Sequence, residues 1–139
     1  MSSLREQILA KIMTVLEAGN IGAPVYRSRT EAVSRKQSPC VIMMPGTDTA
    51  MQVAVPYLDW ALSVHVIVYA RGGTADQLVD PLVIAIHAAM MTDETLGGMV
   101  MSVLPGSTHY ELTDADEGAC VATCEFRIRY RTLQQDITQ

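Results

Sequence analysis

The segment ACVATCEFRIRYRT (119–132) decides how this chain folds. Read at a period of two, Cys120, Ala122, Cys124, Phe126, Ile128 and Tyr130 fall on one side, and Thr123, Glu125, Arg127, Arg129 and Arg131 on the other. Successive side chains of a strand point to opposite faces, so the alternation predicts a long strand with one dry face and one wet face. A dozen such residues at roughly 3.3 Å each reach about 40 Å, which suits a central strand. YLDWALSVHVIVYAR (57–71) answers it, with Leu58, Trp60, Leu62, Val64, Val66 and Val68 opposite Asp59, Ser63, His65, Tyr69 and Arg71. Both segments are rich in the β-branched and aromatic residues that favour extended chain. Together they define a sheet with one buried face. Two helical segments and too few strands for a sandwich leave helices as the simplest cover for it.

With 139 residues the chain is read as a single domain, 1–139, with one core. Hydrophobic residues make up 49% of it, yet charges interrupt them everywhere, so no run approaches the roughly 20 apolar residues of a membrane span. MSSLREQIL lacks the basic-then-apolar pattern of a secretory signal, and synthesis inside a cell is expected. A net charge of -5 argues against nonspecific nucleic-acid binding, local basic patches aside. Cys120 and Cys124 share a strand face four residues apart, about 13 Å, too far for a disulfide or a shared zinc ion. With Cys40 they are expected to be reduced core residues.

Taken in order, Ser3-Leu4-Arg5-Glu6 has the spacing of a capping box, and Leu4, Ile8, Leu9, Ile12, Val15 and Leu16 recur at helical spacing up to Gly19. PVYRSRTEAV (24–33) suits a short polar strand. CVIMM (40–44) is a compact apolar strand expected to stop at the Pro45-Gly46 turn signal. TDTAMQVAVP (47–56) is either a hairpin arm or a loop; if exposed, Met51, Val53 and Val55 form an apolar strip that needs a partner. Thr74-Ala75-Asp76-Gln77 repeats the capping-box spacing before a stripe of Leu78, Val79, Leu82, Val83, Ile86 and Met90. Within it, Pro81 either kinks the helix or marks a later start capped by Asp80. Residues 99–104 and 108–112 look extended, broken at Pro105-Gly106, and the acidic turn TDADEG (113–118) leads into the last strand. The polar tail 133–139 is expected to fray. The result is an α+β domain, a mainly antiparallel or mixed sheet with two helices packed on one face.

No catalytic constellation emerges. Asp59, Ser63 and His65 share a strand face, but neighbours two apart lie nearly 7 Å from each other, so they cannot form a hydrolytic triad along one strand. Phosphate-loop, nucleophile-elbow and zinc-helix motifs are missing. Asp114, Asp116 and Glu117 are close in sequence but lack the later ligands of a calcium loop, and they are read as a solvated turn. No cofactor or metal is expected, and the chain is read as no enzyme. Arg127, Arg129 and Arg131 form either a solvated face balanced by carboxylates such as Asp59 or an interface suited to acidic partners.

The succession LREQILAKIMTVLEAG (4–19), YRSRTEAV (26–33), SPCVIMMPG (38–46), DWALSVHVIVYAR (59–71), TADQLVDPLVIAIHAAM (74–90), TDE (92–94) and DADEGACVATCEFRIRYRT (114–132) resembles the tail terminator proteins of long-tailed bacteriophages. The resemblance covers almost the whole chain and lies in element order and strand character. It implies a homo-oligomeric ring, a hexamer, placed on the end of the tail tube in the virion after assembly in the host cytoplasm. Its partners would be the tail tube protein and a head-completion or connector protein, with no membrane and no specific nucleic acid. Another head-tail connector or tail-completion protein is the alternative, and a small ligand-binding domain or enzyme a more distant one. A ring needs two different complementary patches on each subunit. Met51, Val53 and Val55, the acidic Asp114, Asp116 and Glu117, and Arg127, Arg129 and Arg131 are the interface candidates, the arginines for the lumen or tube contacts.

Overall fold

Ser3 starts the first element: its Oγ accepts from the backbone N of Glu6 at 3.2 Å, satisfying one of the free donors of helix α1 (Leu4–Ala18). Only half of the capping box forms, because the Glu6 carboxylate is taken by Arg27 in two bonds of 2.7 and 2.6 Å. This computed structural model describes residues 2–29, 38–113 and 118–139. After α1 come β1 (Val25–Arg27), β2 (Cys40–Ala54), β3 (Tyr57–Arg71), α2 (Ala75–Met91), β4 (Ser102–Thr113) and β5 (Ala119–Leu133). They form a five-stranded sheet in the order β1-β2-β3-β5-β4, antiparallel except for the parallel β1–β2 pair.

All fifteen residues of β3 pair with β5 in an unbroken register, from Tyr57 opposite Leu133 to Arg71 opposite Ala119. Their dry sides merge into one surface: Leu62, Val64, Val66, Val68 and Ala70 beside Cys120, Ala122, Cys124, Phe126 and Ile128. Ile8, Leu9, Ile12 and Leu16 of α1 and Val79, Leu82, Ile86 and Met90 of α2 close over it. Each aliphatic side chain buried in this way contributes roughly 1.5–3 kcal/mol. Among the described residues no helix lies on the opposite sheet face. This is the expected α+β architecture.

Both Pro-Gly dipeptides, expected to end strands, lie within them. Pro45 pairs with Val64, Val64 with Phe126, and Phe126 with Pro105, so the two prolines occupy one row across the sheet. Directly after each proline one extra residue is inserted, before Asp48 in β2 and before Thr108 in β4. These are β-bulges, where a missing N–H is tolerated and the strand continues. The glycines are there for space. A Cβ on Gly46 would lie 2.3 Å from Ser63 Oγ, and one on Gly106 would lie 2.5 Å from Glu125 Oε1. Beyond its bulge β2 continues to Ala54 and returns through Val55 and Pro56, so 47–56 is a hairpin arm.

Two further expectations change. α2 starts at Ala75, not at Asp80, and runs through Pro81; Thr74 stands at the cap position but makes no side-chain bond, so the second capping box does not form. The 133–139 tail is not frayed. It folds back so that Ile137 O accepts from Leu4 N at 2.7 Å and Pro56 O accepts from Gln134 N at 2.6 Å. Asp136 fastens it by accepting from Thr138 N, Thr138 Oγ1 and Gln139 Nε2.

The helices meet where Gly19 faces Ala89. A Cβ on Gly19 would sit 2.9 Å from the Ala89 Cβ, which has no rotamer through which to move away. Gly19 has φ -81°, accessible to any residue, so Gly19→Ala tests packing alone. The substitution should destabilise by about 1–3 kcal/mol in urea unfolding, the cost of forcing two helices apart. In the Gly19→Ala/Ala89→Gly double variant the two effects should be non-additive in the stabilising direction.

Candidate assembly surface

The open sheet face and the arm beside it hold most of the candidate residues. Asp59, expected on a wet face, is buried there, because Arg131 on the neighbouring strand covers it through Nε at 2.6 Å and Nη2 at 3.3 Å. Arg131 also lies over the Tyr57 ring, 5.5 Å from its centre. The hydrogen bonds and charge of Arg131, with a smaller contribution from Arg129, hold the Asp59 carboxyl below the ordinary carboxylate range. Arg127 is bound through Nε to Glu125 at 2.9 Å. Arg129 is exposed and has no hydrogen-bond or ion-pair partner among the described residues. One guanidinium of the three is therefore uncommitted, and Arg131 belongs to the fold.

Arg127 and Arg129 border an open depression of about 460 Å3 between the two bulged strands. Thr47, Thr49, Ala61 and Ser63 line one side, and Leu104 and Glu125 the other. Its polar groups are largely occupied: Ser63 Oγ accepts from Thr47 N at 3.1 Å. His65 lies across from Glu125 in the register, so the Asp59, Ser63, His65 strand face forms no triad. His109 lies 3.6 Å from Glu111 at the exposed edge. Among the described residues no group of three or more His, Cys, Asp or Glu is placed to hold a metal ion. Cys40, Cys120 and Cys124 are buried free thiols whose pKa values burial pushes up, which disfavours the reactive thiolate.

The arm is the most exposed apolar part of the sheet, with Met51 at 61%, Val53 at 55% and Val55 at 77% exposure. It is held rigid from its other face. Asp48, at the bulge, has a buried side chain whose Oδ2 accepts from Tyr130 Oη at 2.5 Å and from Arg5 at 3.3 Å. Burial, and then the hydrogen bond and charge of Asp48, push the Tyr130 phenol up. Trp60 stacks on Tyr130 at 6.0 Å between ring centres and donates from Nε1 to Thr132 Oγ1 at 2.9 Å. Nothing in the period-two pattern singled out Asp48 or Arg5, since their partners lie across the fold. The remaining candidates, Asp114, Asp116 and Glu117, lie outside the described residues.

Among the described residues the surface displays an apolar arm, the exposed Arg129 guanidinium and an exposed Leu104. No protein-family model and no curated protein matches the sequence. No helix is long and apolar enough to cross a membrane among the described residues.

Two substitutions test the scaffold beneath this surface. Asp59 has a lowered pKa in the fold, so its contribution is present above its unfolded pKa near 4 and is lost as the pH falls through the folded value. Asp59→Asn should lower the urea midpoint at pH 7, and the gap from wild type should close as the pH drops into the acid range. Tyr130→Phe leaves Asp48 Oδ2 without its shortest donor, and should cost about 1–3 kcal/mol at pH 7 by the same measurement.

Proposed function

We propose that this chain is a structural ring protein of the tail terminator kind. Copies of it close into a ring, six in the arrangement the resemblance implies, on the end of a phage tail tube. The ring stops tube growth and presents a surface to the head-side connector. What supports the reading beyond the resemblance is a single observation: a strand-paired arm exposes Met51, Val53 and Val55 beside a sheet face that no helix among the described residues covers. Contiguous exposed apolar surface on a small domain marks a contact site. Because the two sides of this two-layered domain are unlike, a contact between them is head-to-tail, and head-to-tail contacts generate rings when the rotation closes.

Light scattering over a wide concentration range, with negative-stain images of the most concentrated sample, tests this. Rings with six-fold symmetry are expected; a monomer at every concentration would overturn a self-assembling ring. In the parent phage, loss of the gene should give overlong tails, whereas normal tails detached from heads would indicate a completion protein instead. Because Val53 and Val55 are exposed and neither pairs opposite a charged residue, Val53→Asp/Val55→Asp should leave unfolding of the monomer within about 0.5 kcal/mol of wild type while abolishing rings. Intact rings in that variant would remove the arm from the interface.

A further inference from the structure

We infer that the open sheet face is covered by the outer side of α2 from a second copy of the chain, in a front-to-back contact. The inference rests on the ring reading and says which two surfaces meet in it. On the sheet side, Leu104 is 56% exposed and pairs in register with Arg127, with Arg129 lining the same depression. Among the described residues Arg129 has no ion-pair partner, and Arg127 is engaged through Nε alone. On the helix side, the residues facing directly away from the core are Gln77, Asp80, Pro81, Ile84 and Ala88, with Asp76 one turn before Asp80. Ile84 is 62% exposed. Asp76 and Asp80 are exposed and have no hydrogen-bond or ion-pair partner among the described residues. α2 contains no lysine or arginine.

Each surface thus has an exposed aliphatic side chain near a charge with no ion-pair partner among the described residues, Arg129 on the sheet and Asp76 and Asp80 on the helix, and the two signs are opposite. Opposite charges on facing patches steer association and fix register. Both are built on rigid elements, a paired sheet and a seventeen-residue helix, so neither has to be ordered on contact. They also lie on opposite sides of the domain, since α2 packs its other side on the far face of the sheet. One copy therefore cannot satisfy both, whereas successive copies can. A net charge of -5 makes nucleic acid a poor occupant of the same face.

The test uses two full-length variants, Arg127→Glu/Arg129→Glu and Asp76→Lys/Asp80→Lys, each checked for folding by circular dichroism. Because Asp76 favours the first turn of α2 and Arg127 has an internal partner, the single variants Asp80→Lys and Arg129→Glu are carried in parallel. Each reversed variant alone should need at least about tenfold more protein to assemble than wild type. An equimolar mixture should regain rings, because the Glu-bearing sheet of one meets the Lys-bearing helix of the other while the two native surfaces still match. Native mass spectrometry should then find the two species in equal number in each ring, the composition that alternation requires.

If wild type forms rings and both variants assemble as it does, the front-to-back contact is overturned and the ring reading stands. The contact is also overturned if only the arginine variants are impaired, which would direct attention to the acidic segment 114–117, or if the mixture does not recover. Wild type that assembles into open filaments with the same complementation would overturn the closed ring and keep the contact. Wild type that is monomeric throughout overturns both.

Discussion

Everything in this molecule depends on the register of β3 against β5. A strand's side chains alternate with a period of two, so a slip of one residue would either carry Val64, Val66 and Val68 of β3 to the open face or bring Arg127 and Arg129 of β5 under the helices. Either outcome is prohibitive, since it exposes the apolar face of one strand or buries guanidinium charges in a core. The register is therefore fixed by the chemistry of both faces at once. The Asp59–Arg131 pair and the Trp60–Tyr130 stack, at the same end of the ladder, add a cross-strand contact on each face. With that pair set, β2 and β4 can be added on either side only with the offsets their sequences allow, which is where the two proline bulges and the further shift between Gln52 and Ala54 arise.

The parts of the fold legible in the sequence are those governed by periodicity. The β3 and β5 faces, the α1 stripe and most of the α2 stripe follow from which residues water excludes, and this is a local property of spacing. Pro45-Gly46 and Pro105-Gly106 were misleading because the dipeptide has two structural uses. Proline stops a ladder only where its N–H is needed, and in strands with a free edge or a bulge it is not. The glycine signal is equally ambiguous: it marks lack of room for a side chain, here taken by Ser63 and Glu125, as readily as it marks a turn. Capping boxes failed in a comparable way, since Glu6 has a better partner in Arg27 than in the helix end.

The surface residues were harder to read because their state depends on neighbours distant in sequence. Arg127, Arg129 and Arg131 are indistinguishable by pattern, yet Arg131 is committed to Asp59, Arg127 to Glu125 and Arg129 to neither. The arm likewise could be a loop by composition. Its rigidity comes from Asp48, whose carboxylate ties the β2 bulge to Tyr130 on β5 and Arg5 on α1. The tail contributes on the same side by giving the Ile137 carbonyl to the first free donor of α1.

These constraints bear directly on how the exposed surface can act. An apolar strip on a loose loop would lose conformational entropy on every contact, and a small patch would then gain little. Here the entropy is lost on folding, because the arm is paired along β3 on one edge and pinned by a buried carboxylate from below. The backbone beneath the arginines is likewise ordered on folding, since they stand on the central pair itself. A contact on such a preformed plane, where Leu104 and Arg129 are exposed, would be best matched by a straight element carrying an exposed aliphatic side chain beside acidic ones. α2 is such an element, and its placement on the far side of the sheet leaves it for another molecule.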